Sequence, residues 1–558
     1  MRFFRRTRRF GSVDPDEIFL DVSNLPEFDY SQMEGRLERP IGKRTLVVFG
    51  TIICLSLFGL SVRAYTLQVV SGEAYTTQSE QNRLDAHTLF ASRGLIRDRN
   101  GVVLVDNVRK EEGLFAHRSY KTPGFAHVLG YVSYPRRDSA GFFFTEETVG
   151  IVGIEKEFDA QLRGTNGRLL KETDALGRVY SEGIVVQPKD GNDVILALDS
   201  VLQEAMFASI QKFARQIPFQ GGAGVLIDIQ NGEVLSLVSY PEYDANILSY
   251  GADAGAILGY QEDTRTPFLN RALSGRFTPG SIIKPFIAAF ALSEGVVSPE
   301  TSILSTGAIS IPNPYNPNNP SVFRDWRVQG WVDVRRALAV SSNVYFYAIG
   351  GGYGTQKGIG IDGIGTTFAR FGLTEKTGVE FPDEVVGFVP SPLWKEQTFN
   401  EPWRLGDTYH TAIGQYASLV TPLGMARATA GLASGGTLPS LTLIKGEQSG
   451  GRSIPVDPSA LLIAREGMRD AVKDGTARAV DVSYVEIAAK TGTAEVGVSK
   501  DLVHSWIIGF YPYENPKYAF VIVMERGART NLIGAPAVAR DFFDTLNRTS
   551  PEYFTNLR

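Results

Sequence analysis

Thr45 to Val62 carries no charged side chain and is strongly apolar throughout. At 1.5 Å rise per residue, these eighteen residues span about 27 Å as a helix, just enough for the hydrocarbon core of a bilayer. The competing use of such a run is the core helix of a soluble domain. Arg36, Arg39, Lys43 and Arg44 precede the run, so the positive-inside rule places the N-terminus in the cytoplasm. The polar segment ahead of it is long and no small-residue cleavage site follows. That pattern reads as an uncleaved signal anchor over 45–63 rather than a signal peptide. Residues 1–44, with arginines at Arg2, Arg5, Arg6, Arg8 and Arg9, read as a mostly disordered cytoplasmic tail and a solvated charge run. The remaining roughly 490 residues then lie beyond the cytoplasmic membrane, in the periplasm or extracytoplasmic space.

A chain of 558 residues is too long for one core, and two or three domains are expected. The net charge of −5 gives no basic surface for nucleic acid. Cys54 is the single cysteine and lies inside the apolar run, so no disulfide and no cysteine-based metal site forms within one chain. An envelope protein of this kind folds on its core alone, and aromatics at 11% supply the material. Residues 64–195 alternate short strand-like runs with Gly- and Asp-rich turns: Gly101–Val105, Ala126–Val132 and Asp193–Leu198. His87, His117 and His127 are scattered there and read as structural. Across 196–549, Val225–Asp228 and Glu233–Val238 flank Asn231-Gly232, the strongest short hairpin signal. Three later strands bring the expected sheet to about five antiparallel strands, with helical segments between and Arg540–Leu546 closing the sheet at its end. Pro312–Asn319, rich in Asn and Pro, reads as a loop, and 550–558 as a short C-terminal tail.

Three motifs carry the chemistry. Ser281 opens Ser281-Ile-Ile-Lys284 and follows Phe277-Thr278-Pro279-Gly280. The apolar run to Leu292 reads as a buried helix ending near Gly295. A serine hydroxyl is a weak nucleophile and needs a neighbouring base. Positions i and i+3 share a helix face, which brings Lys284 within reach of Ser281. For Lys284 to act as a base its pKa must fall, through burial and nearby positive charge such as Lys490. Pro285 is tolerated in a first turn, whose N–H groups are free to meet a developing oxyanion. Ser341-Ser342-Asn343 reads as a turn between two helices, with a hydroxyl to relay protons and an amide to hold a substrate peptide group. Lys490-Thr491-Gly492-Thr493 ends a strand-like run, Val485–Ala489, and precedes strands over Trp506–Tyr511 and Tyr518–Met524. Gly492 implies close approach of another backbone, expected here to be a substrate peptide along the strand edge. The Lys490, Thr491 and Thr493 side chains suit a terminal carboxylate. Each motif alone is weak; three in order, each in its local context, describe one serine acyl-transfer centre.

With these motifs the chain resembles the class B penicillin-binding proteins, the D,D-transpeptidases of peptidoglycan. The resemblance covers nearly everything after residue 45. Arg93-Gly-Leu-Ile-Arg-Asp98-Arg-Asn100-Gly101, Gly150-Ile-Val-Gly153-Ile-Glu155 and Leu162-Arg-Gly164 are similar to N-terminal module signatures of the family. Ser239-Tyr-Pro241-Glu-Tyr-Asp244-Ala-Asn246 and Asn270-Arg271-Ala272 precede the nucleophile as they do there. Gly406-Asp407-Thr408, Ile413-Gly414-Gln415 and Thr421-Pro422 are most similar to the elongation-type members, penicillin-binding protein 2. The implied fold is α+β: one N-terminal transmembrane helix, an elongated β-rich pedestal of the dimerisation type over 64–195, and a transpeptidase domain over 196–549.

The implied chemistry gives Ser281 as the nucleophile attacking the penultimate D-Ala carbonyl of a stem peptide. Lys284 takes its proton, and Ser341 with Lys490 delivers one to the leaving D-Ala. Asn343 binds a substrate amide, while Thr491, Gly492 and Thr493 form the carboxylate-binding edge. The backbone N–H groups of Ser281 and Thr493 form the oxyanion hole. A second stem peptide resolves the acyl-enzyme, and β-lactams acylate Ser281 by the same route. The implied partners are a membrane glycan polymerase and elongation-complex proteins.

Departures from the family pattern are informative. Some elongation-type members bind zinc through Asp, His and Cys between the first two motifs. This interval has no His and no Cys, and Gln329 stands where a His-Gly pair is expected, so no zinc is expected. Tyr416 replaces a usual Gly, and Gly424 a usual Gln. His504, beside the third motif, reads as packing. The alternatives are a serine β-lactamase or penicillin sensor, a division-type transpeptidase and a non-catalytic scaffold. The Glu-x-x-Leu-Asn pattern of one β-lactamase class is absent, only one span is visible, and Ser281, Lys284 and Lys490 are intact.

Overall fold

The computed structural model describes residues 42–75, 84–109, 113–139, 142–173, 179–313, 316, 318–447 and 450–555. The expected cytoplasmic tail lies outside them, apart from 42–44, as do Pro314, Tyr315 and Pro317 of the expected Asn/Pro-rich loop and residues 556–558 of the expected C-terminal tail. The chain divides into two compact units. One holds the residues up to Asp85 with Glu172–Ser181, the other Ala86–Lys171 with Glu182–Arg558.

In the first unit, helix α1 (Lys43–Tyr65) runs on through a π-turn over Thr66–Val70. The continuous helix Lys43–Val70 has 28 residues, and its most apolar 18-residue stretch has a mean hydropathy of 2.3. At about 42 Å it is long and apolar enough to cross a membrane. It outruns the expected 45–63 because Arg63 ends the uncharged run without breaking the backbone pattern, and Leu67, Val69 and Val70 continue it.

In the second unit, a four-stranded sheet comes first: β1 (Ile96–Arg97), β2 (Val103–Val108), β3 (His117–Tyr120) and β4 (Val194–Ile195), in the order β4-β1-β2-β3. Strand β4 runs parallel to β1. A buried charge cluster fixes this module. Arg93 Nε donates to Glu155 Oε2 at 2.8 Å and Arg118 Nε to Glu155 Oε1 at 2.7 Å, while Arg93 also pairs with Asp159. All of Arg93, Arg118 and Glu155 are buried, where a charge needs an opposite partner to offset its lost hydration. The two family-like signatures are thus joined as the two halves of one ion cluster.

The catalytic half opens with helix α2 (Ser200–Gln216), whose N-cap Asp199 accepts from Val201 N and Leu202 N. The hairpin β5 (Gly221–Asp228) and β6 (Val234–Tyr240) follows, with Gly232 at φ +75° in its turn. Helices α3 (Lys284–Ser293), α4 (Val334–Ala339), α5 (Asn343–Gly351), α6 (Leu405–Ala412), α7 (Pro422–Ala433) and α8 (Pro458–Asp474) intervene. Thr421-Pro422 starts α7 as an N-cap with proline in the first turn, and Thr421 Oγ1 accepts from Gly424 N. Strands β7 (Ala488–Val496), β8 (Leu502–Tyr511) and β9 (Tyr518–Ala528) then complete an antiparallel five-stranded sheet ordered β6-β5-β9-β8-β7. Strand β5 pairs with β9 (Val225 opposite Val521), so the two ends of the catalytic half close on each other. Helix α9 (Ala535–Thr549) comes last.

Both sheet faces are covered, which is why the strands read as unbroken apolar runs. Leu226, Phe520, Ile522 and Met524 join α2 and α9 in one core. Val225, Ile227, Val521 and Val523 face the other way into the larger core of α3, α5, α7 and α8. Arg540–Leu546 therefore does not extend the sheet but lies within α9, whose buried Val538, Ala539, Phe542, Phe543 and Leu546 mark a 3.6-residue period. The third motif lies inside β7 rather than at the end of a strand over Val485–Ala489. The pairing with β8 begins at Ala488 opposite Phe510 and runs to Val496 opposite Leu502.

Two of the family-like segments are structural joints. Arg271 Nε donates to Glu525 at 2.6 Å, buried. Glu242 accepts from Gly124 N and Ala126 N, and Asn246 exchanges hydrogen bonds with the Tyr120 backbone. The end of β6 is thereby tied to the module carrying β1–β3. Phe543 meets Tyr511 and Phe520 edge-on, each at 5.2 Å. Phe543→Ala is expected to destabilise the catalytic half by about 3–5 kcal/mol, seen as a lowered midpoint in thermal unfolding of the purified chain.

Candidate active site

Ser281 lies in a 3₁₀ turn, Gly280–Ile283, that leads directly into α3. The expected α-helical start at Ser281 is thus a tighter turn, in which residues i and i+3 eclipse. Ser281 and Lys284 still share one face. Neighbouring backbone holds the turn on both sides. Gly280 N donates to Gly414 O at 2.8 Å, and Phe277 exchanges backbone hydrogen bonds with Val420. Trp506 Nε1 donates to Thr278 O at 3.0 Å. A Cβ on Gly414 would lie 2.2 Å from Gly280 O, and one on Gly492 2.9 Å from both Pro279 O and Ile282 Cγ2. The backbone that approaches Gly492 is therefore that of the nucleophile turn, where a substrate peptide was expected. The glycine lets β7 lie flat against Ser281.

The second motif occupies the turn between α4 and α5. Ser341 has φ +57°, a left-handed backbone that costs a non-glycine residue about 1–3 kcal/mol. Ser342 is the N-cap of α5 and accepts from Tyr345 N. Lys284 is fully buried. Its Nζ donates to Ser341 O at 2.9 Å and Asn343 Oδ1 at 2.8 Å, and lies 3.4 Å from Ser341 Oγ. Lys490, also fully buried, donates to Ser341 Oγ at 2.9 Å and to Thr491 O at 2.8 Å. Ser341 Oγ thus lies between two lysine amines. Ser281 itself is half-buried, and its hydroxyl makes no hydrogen bond among the described residues.

β7 is the edge of the sheet. Its period of two turns Lys490 and Gly492 toward the nucleophile turn. Thr491 Oγ1 donates to Thr476 Oγ1 at 2.7 Å, which commits that proton within the protein. Thr493 is exposed and makes no side-chain hydrogen bond among the described residues. His504 packs edge-on against Phe277 and accepts from Arg526 N; burial pushes its pKa down to about 4. Tyr416 has φ +66°, which explains why the resembled family favours glycine there. Its ring meets Trp394 and Trp403 edge-on. Among the described residues, no three His, Cys, Asp or Glu side chains gather as metal ligands. Thr476 joins the site from the segment after α8, and no residue pattern in the sequence marks it.

The family profile of the penicillin binding protein transpeptidase domain matches residues 222–544, and that of the penicillin-binding protein dimerisation domain matches 113–196. The chain belongs to the penicillin-binding protein transpeptidase family. It is a class B member of the elongation type. The peptidoglycan D,D-transpeptidase MrdA of Acinetobacter baumannii is 29% identical over 92% of this chain and 88% of its own length. That of Escherichia coli K12 is 28% identical over 88% and 92%. Among solved structures, Pseudomonas aeruginosa PBP2 in complex with WCK 5153 aligns at a TM-score of 0.68 with 29% identity, covering 84% of this chain and 98% of that one. Helicobacter pylori PBP2 in its complex with MreC aligns at 0.68 with 27% identity, covering 84% and 99%.

In this penicillin-binding protein, burial decides the protonation of the two amines. It pushes the Lys284 pKa down to about 7, against an opposing pull from the Asp325 carboxylate. Lys490 is driven well below the ordinary lysine range, first by burial and then by the charge of Lys284. Burial lowers Lys284 as expected, while the charge effect expected from Lys490 falls the other way, from Lys284 on Lys490. A neutral Lys284 amine has two protons, matched by Ser341 O and Asn343 Oδ1, and one lone pair left to receive a serine proton. With Lys284 as the proposed base, acylation is expected to rise with pH through an apparent midpoint near 7 and to fall in proportion to proton concentration below it. Stopped-flow acylation by a chromogenic β-lactam across pH measures this limb.

Proposed function

We propose that the chain acts as a peptidoglycan D,D-transpeptidase in cell-wall elongation and cell-shape maintenance, through an acyl-enzyme on Ser281. The observation that carries this reading is the single hydroxyl of Ser341 held between the Lys284 and Lys490 amines, next to a nucleophile turn packed on β7. Ser281 Oγ attacks the penultimate D-Ala carbonyl and Lys284 takes its proton. Ser341, backed by Lys490, returns a proton to the departing D-Ala nitrogen. The amine of a second stem peptide then attacks the ester and frees Ser281. Asn343 holds a substrate amide. Thr493 and Thr491 hold the terminal carboxylate, with Thr491 giving up its bond to Thr476 as substrate enters. The N–H groups of Ser281 and Thr493 receive the oxyanion. A β-lactam acylates Ser281 by the same route.

In this reading residues 64–195 form the pedestal and 196–549 the transpeptidase domain. Helix α1 anchors the chain in the cytoplasmic membrane with the transpeptidase domain outside, supported by the basic residues just before α1. Solved relatives include PBP2 with MreC and a peptidoglycan synthase complex that coordinates polymerization and crosslinking. They support partner proteins for this chain; in this reading the pedestal and α1 meet a membrane glycan polymerase and elongation-complex proteins.

Labelling with a fluorescent penicillin tests the assignment: the native chain labels and Ser281→Ala does not. Equal labelling of both, or labelling of neither, rules it out. Lys284→Ala is expected to acylate about 10²–10⁴ times more slowly, and an unchanged rate removes lysine from the base role.

A further inference from the structure

Residues 324–326 grip the second-motif turn from one side. Asp325 Oδ2 accepts from Ser342 Oγ at 2.7 Å, Val344 N at 3.1 Å and Ser305 Oγ at 3.2 Å. Its Oδ1 accepts from Trp326 N at 2.9 Å. Trp326 Nε1 in turn donates to Val340 O at 3.2 Å, and the Arg324 carbonyl receives Tyr347 Oη at 3.3 Å. No lysine or arginine pairs with the half-buried Asp325 among the described residues, so its acceptor capacity goes to this turn and to the flanking Ser305. The residues held, Val340, Ser342 and Val344, bracket Ser341, whose backbone is left-handed. Such a backbone persists only where the surroundings over-determine it. Relaxed to an ordinary conformation, the turn would carry Ser341 Oγ and Asn343 Oδ1 away from the two amines.

We propose that Asp325 is a positioning residue for acyl transfer: its carboxylate clamps the turn in the one conformation that holds Ser341 Oγ between Lys284 and Lys490. The proposal rests on the acyl-transfer reading above and adds to it a residue outside the three motifs. The charge of the clamp also reaches the base. Lys284 is faced by Lys490 from β7, by Ser341 and Asn343 from the turn, and by the Phe346 ring of α5 at 5.3 Å. Asp325 is the carboxylate whose field favours its protonated form.

The test uses the full chain in detergent and a fluorescent penicillin, with acylation measured across the titration range of Lys284. In Asp325→Asn, the clamp loses an acceptor and the charge, so the plateau rate is expected to fall about tenfold to a hundredfold. The acid limb is expected to move to lower pH, because the carboxylate no longer raises the Lys284 pKa. Ser342→Ala keeps the charge and removes one clamp bond; it is expected to slow acylation with the limb unmoved. A plateau rate in Asp325→Asn within about twofold of the native chain overturns the proposal, as does slower acylation with an unmoved limb, the mark of a merely structural role. If Asp325→Asn does not fold, Ser342→Ala decides, and a native rate there overturns the proposal. Failure of the native chain itself to acylate overturns the underlying reading instead, which separates the two.

Discussion

The hydroxyl of Ser341 lies between two fully buried lysine amines, and the rest of the catalytic half is arranged to make that placement stable. Two ammonium groups beside one oxygen in a desolvated site repel each other and lose hydration. The fold resolves this by letting the site hold less than two charges. Lys284 reaches it from the first residue of α3, Lys490 from the sheet edge, and the turn after α4 supplies carbonyl, hydroxyl and amide acceptors. Three elements far apart in sequence therefore converge on a few ångströms. The sheet makes that possible by pairing β5 with β9, which closes the catalytic half around its helices.

Most of the fold was legible because apolar runs, hairpin signals and helix caps report local structure directly. Asn231-Gly232, Pro285 in the first turn of α3 and the apolar strands β8 and β9 are examples. The serine–lysine–serine constellation was legible as motif order, and the eclipsed 3₁₀ turn kept Ser281 and Lys284 on one face although an α-helix was expected. What sequence did not reveal depended on long-range contact. Gly492 announced a close approach but not its partner, which is the nucleophile turn across the sheet edge. Burial was expected to lower Lys284 and does, but the lysine–lysine charge effect falls on Lys490 instead, a direction set by how the assembled core surrounds each amine. Asp325 and Thr476 carry no pattern: an aspartate in a polar loop and a threonine after a helix become informative only when a distant turn or strand meets them.

Residues that make the chain family-like but have no chemical role serve as joints. Arg93 and Arg118 share Glu155 in a buried cluster, and Arg271 is paired with Glu525 across the catalytic half. Glu242 and Asn246 tie the end of β6 to the backbone around Tyr120 and Gly124. With a single cysteine, and that one in α1, the chain has no covalent staple, and paired buried charges take the specifying role. Breaking one side of such a pair leaves an uncompensated charge, about 3–5 kcal/mol in comparable cases.

The central claim is that desolvation, in the resting enzyme, brings the Lys284 pKa down to near physiological pH. Heteronuclear NMR titration of the lysine ε-methylene signals, assigned by the resonance lost in Lys284→Arg, measures it without any substrate. The account predicts a Lys284 midpoint near 7, with Lys490 well below the ordinary lysine range. Both amines titrating near the ordinary value of about 10.4 would contradict it.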